Sequence, residues 1–258
     1  MASLKIVTLN LSRGFPGIEK SMSFLSRPEW DMACLQDVQV THLPRLAEIF
    51  PGAQYFAPMT KHLIDGVRVP VGIGIFSRGE PFISPSAHAY VGNVLPVLDL
   101  DGVEISADGN AEPVDLSRVR ATESRLAVFV GVSVGGRYFK IGTTHGTWSP
   151  AKYIPDNHQR WSIFKLVGII DEQRPDVMAG DFNAPRGGEL YNILCNRSLI
   201  DRVPTSIVNS IDWKLRGRSG PDVLVDYFFT ATASDISDVQ THFGVSDHAA
   251  LSGTVSKI

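Results

Sequence analysis

Residues 177–183 read VMAGDFN and residues 246–249 read SDHA, two compact acid-bearing motifs that each lie against a short apolar run. The apolar residues Val177 to Ala179 predict a strand that ends at the acid. On an extended strand, positions i and i+2 face the same side, so Asp181 and Asn183 are expected to project a carboxylate and an amide into one site. Asp247 and His248 are adjacent and would point apart on a regular strand, so a strand-end loop is needed to let both converge. Hard oxygen donors favour Mg²⁺ or Mn²⁺ over zinc, and imidazole moves protons near neutral pH. Together the two motifs point to metal-assisted phosphoester chemistry.

The rest of the chain surrounds these motifs with mixed strands and a few helices. Strands are expected at Leu4 to Leu11, Asp31 to Leu35, Val71 to Phe76, Leu126 to Val134, Tyr138 to Thr143, Leu224 to Phe229 and Ala249 to Val255. Helices are expected over Ile18 to Leu25 and, from an apolar stripe at Trp161, Phe164, Leu166, Val167 and Ile170, over Gln159 to Ile170. A further helix can begin near Gly188. Gly135 and Gly136 join two strand runs directly, which is a hairpin signal and favours an antiparallel or mixed sheet. Asp99 to Glu123, rich in Asp, Glu, Gly and Ser, reads as a long surface insertion.

Bulk composition narrows the function classes. A chain of 258 residues with 43% hydrophobic residues can bury a sizeable core, and one domain over 1–258 is the simpler expectation. A formal net charge of -3 argues against coating nucleic acid through bulk electrostatics. Cys34 and Cys195 have no metal-ligand spacing and read as buried thiols. Lys5 and Asn10 interrupt the first apolar run, and no apolar stretch approaches about 18 residues. A soluble, cytoplasmic monomer without a transmembrane segment is therefore expected.

In order, the polar residues at strand ends are Asn10 in TLNL, Asp37 in LQDV, Thr144 and His145 in TTHG, Asp181 and Asn183 in GDFN, Asp226 in VDYF, and Asp247 and His248 in SDHA. This order resembles the endonuclease/exonuclease/phosphatase superfamily, the DNase I-like enzymes, over nearly the whole chain. Glu123 and Arg125 resemble its E-x-R segment, and Gly72 to Arg78 its glycine-rich strand ending in Ser-Arg. The resemblance implies a four-layer αββα sandwich of class α/β (α+β), two packed mixed sheets with outer helices and an active site at one end. It also implies roles. Asn10, Asp37 and Asp247 would surround the divalent metal; Asp181 and Asn183 would handle the attacking water or leaving oxygen. His248 would contact the phosphate with Asp226 orienting its ring, and His145 would donate a proton or hydrogen bond. Arg125 and Trp148 would bind substrate. Asp226, flanked by Val225, Tyr227 and Phe228, would be a costly buried charge without a partner, which independently favours pairing with His248.

Two positions depart from the family pattern. Asp37 stands where the family usually has Glu, a reach shorter by about 1.5 Å, whereas Mg²⁺ wants oxygens at about 2.0 to 2.1 Å. Gly146 replaces a common Leu after His145, altering the loop that holds His145 and Trp148. The run Trp213, Lys214, Arg216, Arg218 precedes the Asp226 strand and is expected at the rim of the site, where Lys214, Arg216 and Arg218 would make phosphate or base contacts. His42, His62, His88, His158 and His242 read as surface or loop residues. The expected function is a Mg²⁺- or Mn²⁺-dependent phosphoesterase using direct water attack, a nuclease in preference to an inositol or lipid phosphatase or a sphingomyelinase-like phosphodiesterase. The rival from another class is a catalytically silent binding module, motivated by Asp37.

Overall fold

The computed structural model describes residues 2–12, 17–64, 66–79, 81–92, 99–104, 124–149, 153–197, 199–231 and 233–257. Glu123 of the E-x-R segment and most of the expected insertion, residues 105–123, lie outside the described residues. Among the described residues, thirteen strands form two mixed sheets. The first sheet contains β1 (Ser3–Asn10), β2 (Met32–Gln39), β3 (Ala53–Ile64), β4 (Val67–Ser77), β6 (Asp99–Glu104), β12 (Ser234–His242) and β13 (Ala250–Lys257), in the order β12-β13-β1-β2-β4-β3-β6. The second contains β5 (Ile83–Val91), β7 (Arg125–Val134), β8 (Arg137–His145), β9 (Val177–Asp181), β10 (Ile200–Asp201) and β11 (Asp226–Thr230), in the order β10-β11-β9-β8-β7-β5. Helices α1 (Ile18–Leu25), α2 (Leu43–Ile49), α3 (Asn157–Gln173) and α4 (Glu189–Cys195) accompany them.

Side-chain alternation explains the layers. Along β1, Leu4 and Ile6 enter the main core, which they share with β7 residues Leu126 and Val128 of the other sheet. Val7 and Leu9 face the opposite way and join Met22, Phe24 and Leu25 of α1 in a second cluster. β2 repeats the division, with Met32 and Cys34 inward and Ala33 and Leu35 outward. Strands buried on both faces must be apolar at nearly every position, which is why these runs read so clearly. On the far side, Ile163, Leu166 and Ile170 of α3 and Leu190 and Leu194 of α4 pack onto the main core. Each such fully buried side chain contributes about 1.5–3 kcal/mol by leaving water.

Gly135 and Gly136 do form the turn between β7 and β8, both with positive φ, 54° and 76°, as a tight hairpin of this hand requires. Part of the expected insertion is instead strand β6, paired in parallel with β3. Three histidines expected at the surface or in loops are held in the sheets: His62 is buried in β3, His88 of β5 packs edge-on against Phe129, and His242 of β12 sits 2.8 Å from Ser252 Oγ with its ring against Phe24 and Trp30. Cys34 is buried, and burial pushes its thiol up to about 12, whereas Cys195 is only half-buried. No helix among the described residues is long and apolar enough to cross a membrane.

Candidate active site

Register brings the acidic strand ends together. β8 and β9 run parallel with His145 opposite Asp181, and antiparallel pairing of β11 with β9 sets Asp226 opposite the same Asp181. In the facing sheet, parallel β1 and β2 place Asn10 beside Gln36, one residue before Asp37. Asn10 Nδ2 donates across the sheets to Asp181 Oδ2 at 3.1 Å. The motif SDHA is not on a regular strand. It precedes β13 and pairs with the segment Ser210 to Asp212 through Asp212 N donating to Asp247 O at 2.8 Å and Ala249 N donating to Ser210 O at 2.8 Å. Off a regular strand, Asp247 and His248 converge on one site, where the single guanidinium of Arg216 meets both.

A continuous chain of contacts links all eight candidate metal and catalytic residues. Asp37 Oδ1 is 3.3 Å from His145 Nδ1, and His145 Nε2 is 3.5 Å from Asp181 Oδ2. Asp181 Oδ1 accepts from Asn183 N at 2.8 Å, and Asn183 Nδ2 donates to Gly146 O at 2.9 Å. His248 Nε2 lies 3.8 Å from Asp181 Oδ2, while its Nδ1 is 2.8 Å from Asp226 Oδ2. Ser12 Oγ donates to Asp247 Oδ1, and Ser12 N donates to Asn10 Oδ1 at 2.8 Å. Asn183 reaches the site by a turn rather than by strand alternation: β9 ends at Asp181 and Asn183 has φ 50°, a left-handed conformation that Asn tolerates.

Arg216 completes the circuit. Its Nη2 is 2.8 Å from His248 Nε2, and its Nε is 2.9 Å from Asp247 Oδ2, an ion pair rather than an aligned hydrogen bond. Burial favours neutral His248, but Asp226, Asp181 and Asp247 around it outweigh burial and lift its pKa to about 9. A guanidinium can only donate, so with Arg216 in place His248 Nε2 must be the acceptor and the ring proton sits on Nδ1, facing Asp226. Displacement of Arg216 would free Nε2 to take a proton, which the surrounding carboxylates favour. Burial likewise raises Asp226, opposed by the charge of His248.

The remaining candidates fall into separate places. Trp148, Arg216 and Arg218 line a cleft of about 240 Å³ that opens at His248 and Asn183, and Trp213 and Tyr153 line it with them. Lys214 is not among the lining residues. Arg125 is buried beneath the site, its Nη1 3.4 Å from the backbone O of His145, which also accepts from Tyr90 OH at 2.8 Å. Three supporting residues carried no sequence signal strong enough to single them out. Besides Ser12, Ser210 Oγ accepts from Val225 N and Asp226 N at 3.1 and 3.2 Å, and Asp212 Oδ2 accepts from Gly244 N at 2.8 Å. Each is a short polar residue in a loop, indistinguishable in sequence from a turn former.

Both departures from the family pattern have a backbone cause. An ideal Cβ on Gly146 would lie 2.1 Å from Phe182 O, so no side chain fits there. Gly146→Ala is expected to destabilise by about 1–3 kcal/mol through overpacking, measured as a shift in denaturant midpoint; an unchanged midpoint would show that the Phe182 backbone gives way. Asp37 sits at an irregularity in the β2–β4 pairing with φ 51°. Short Asp tolerates this left-handed region better than Glu, so Asp37→Glu is expected to cost about 1 kcal/mol in the same assay, and a more stable variant would contradict that cause.

The donor set suits a hard divalent cation. Asp37, Asp181, Asp226 and Asp247 bring four carboxylates against one guanidinium, and Asp226 Oδ1 is buried without a hydrogen-bond partner. Ligand atoms of Asp181, Asp226 and His248 lie within 4.8 Å of one another, a buried cluster that could hold a metal ion.

Fold and site together define the class: the chain has the endonuclease/exonuclease/phosphatase fold. Among solved structures, an endonuclease/exonuclease/phosphatase from Beutenbergia cavernae is 15% identical, covers 100% of this chain and 72% of its own, and superposes with TM-score 0.70. An endonuclease/exonuclease/phosphatase from Bacteroides vulgatus is 14% identical over 100% of both chains, TM-score 0.70. A mannosyl-6-phosphatase from Bacteroides thetaiotaomicron is 14% identical over 99% of both, TM-score 0.62. At these identities the likeness is one of fold. No family model matches the sequence, and no curated protein matches it.

Proposed function

We propose that the chain is a divalent-metal-dependent phosphoesterase that cleaves a P–O bond by direct attack of water, with nucleic acid as the preferred substrate class. The observation that carries this reading is the buried Asp226–His248 pair, 2.8 Å apart, held beside Asp181. Such a pair fixes the imidazole tautomer and steadies its cationic form. His248, once released by Arg216, donates from Nε2 to a phosphate oxygen. Asp181, which also holds Asn10 and Asn183, is placed to accept the proton of an attacking water. His145, between Asp37 and Asp181, donates a further hydrogen bond. Mg²⁺ or Mn²⁺ held by Asn10, Asp37 and Asp247 would supply charge neutralisation on the phosphate.

Asn10, Asp37 and Asp247, with Asn10 buried and both carboxylates partly exposed, are preferred to the Asp181–Asp226–His248 cluster for a physical reason. Asp37 and Asp247 side chains are 18% and 16% exposed, against 2%, 1% and 6% for the cluster, and Mg²⁺ keeps several of its waters. The Arg216–Asp247 ion pair favours the second reading, a silent binding module in which Arg216 stands on the metal acid. Turnover of plasmid DNA, single-stranded RNA, inositol phosphates and sphingomyelin, each with Mg²⁺ and Mn²⁺, separates the readings. Hydrolysis of a nucleic acid is expected. Hydrolysis of only an inositol phosphate or sphingomyelin would move the substrate class, and hydrolysis of none would favour the binding module.

A further inference from the structure

We propose that the cleft beside His248 is a subsite for one nucleotide unit, a flat base joined to a phosphate, which deepens and rests on the phosphoesterase reading. Trp213 is a scaffold within it. Its Nε1 donates to Pro221 O at 2.8 Å, Gly220 packs so closely that a Cβ there would fall 2.4 Å from the ring, and the guanidiniums of Arg216 and Arg218 lie 5.5 and 5.4 Å from its centroid. Arg216 is directed onward to Asp247 and His248. Arg218 has no carboxylate partner among the described residues, so its charge stands in the cleft wall free to meet an anion.

Trp148 and Tyr153 line the same cleft, and among the described residues neither ring has an aromatic or cationic partner. Tyr153 is 43% exposed. Open aromatic rings beside an unmatched guanidinium are what a base and its phosphate require: a π-face to stack on and a planar donor for the anion. Ser149, Asn183 and Ser219 in the same lining suit the sugar that joins base and phosphate, and an acyl chain offers nothing to Arg218.

Calorimetric titration of the intact protein with adenosine 5′-monophosphate, ribose 5-phosphate and adenosine tests this. The nucleotide is expected to bind at least roughly tenfold more tightly than either fragment, since base–aromatic stacking and a charged phosphate contact each reach that size. Trp148→Ala should bring the nucleotide down to the affinity of ribose 5-phosphate, and Arg218→Ala to that of adenosine. Equal affinities for the nucleotide and ribose 5-phosphate on the unaltered protein would overturn the proposal without any variant. Turnover of bis(p-nitrophenyl) phosphate by the same preparation judges the chemistry separately. Turnover without a base-dependent gain in affinity removes the subsite alone. That gain without turnover supports the subsite and removes the catalytic reading.

Discussion

Asp181→Asn is expected to lower turnover by about 10²–10⁴-fold, the size of effect that loss of a positioned proton acceptor produces, while the protein stays folded. The substitution is nearly isosteric. Its Oδ1 can still accept from Asn183 N, but the other oxygen becomes an NH₂ group facing the Asn10 amide donor, at a cost to stability of roughly 1 kcal/mol. Circular dichroism and a denaturation midpoint establish the fold, and kcat then reports the chemistry. A folded variant with kcat within a few-fold of the unaltered protein would show that Asp181 is structural and that the base lies elsewhere.

His248→Ala is expected to remove turnover to a similar degree, and also to cost about 3–5 kcal/mol of stability, because it strands a buried carboxylate. Asp226 is 1% exposed and its Oδ1 has no hydrogen-bond partner, so the carboxylate relies chiefly on His248, with Ser210 as a lesser partner. Burial already raises the folded-state pKa of Asp226, and the substitution removes His248, the neighbour that chiefly opposes burial. A raised carboxyl pKa destabilises the folded state at pH above the unfolded value and ceases to do so as pH falls and the group protonates. The raised pKa of His248 also gives the unaltered protein stability that fades as pH rises toward about 9, so the deficit of His248→Ala should grow as pH falls toward 6.5 and shrink only on further acidification, as Asp226 itself takes up a proton. The double variant His248→Ala/Asp226→Leu should recover stability at neutral pH without recovering turnover. A double variant no more stable than the single one would show that Asp226 is not stabilised through His248.

The sequence makes some levels of this structure plain and hides others for physical reasons. β1, β2 and β7 are buried on both faces over most of their length, so Ile6 to Leu9, Met32 to Leu35 and Leu126 to Val132 are largely apolar and the polar residues at their ends stand out. β5 and β12 are edge strands with half-exposed, polar sequences, Pro85 within one and Asp235 and Asp238 within the other, so no periodicity marks them. The order of acidic strand ends was readable because each belongs to a short motif. Arg216 bonding to both Asp247 and His248 was not, since that contact joins a loop to residues 31 and 32 positions away and depends on how the Ser210 to Asp212 segment docks. The reason for Asp37 was equally invisible: the shorter side chain suggests a defect, whereas the left-handed backbone at the irregularity supplies a cause for Asp.

The most direct measurement is hydrolysis of bis(p-nitrophenyl) phosphate by protein stripped with excess EDTA and then given back Mg²⁺ or Mn²⁺, with the denaturation midpoint followed alongside. Gathered carboxylates repel one another, so a bound divalent ion should raise the midpoint as well as enable the reaction. Turnover is expected to vanish in EDTA and return with either ion. Turnover that persists undiminished in excess EDTA would contradict a metal-assisted phosphoesterase.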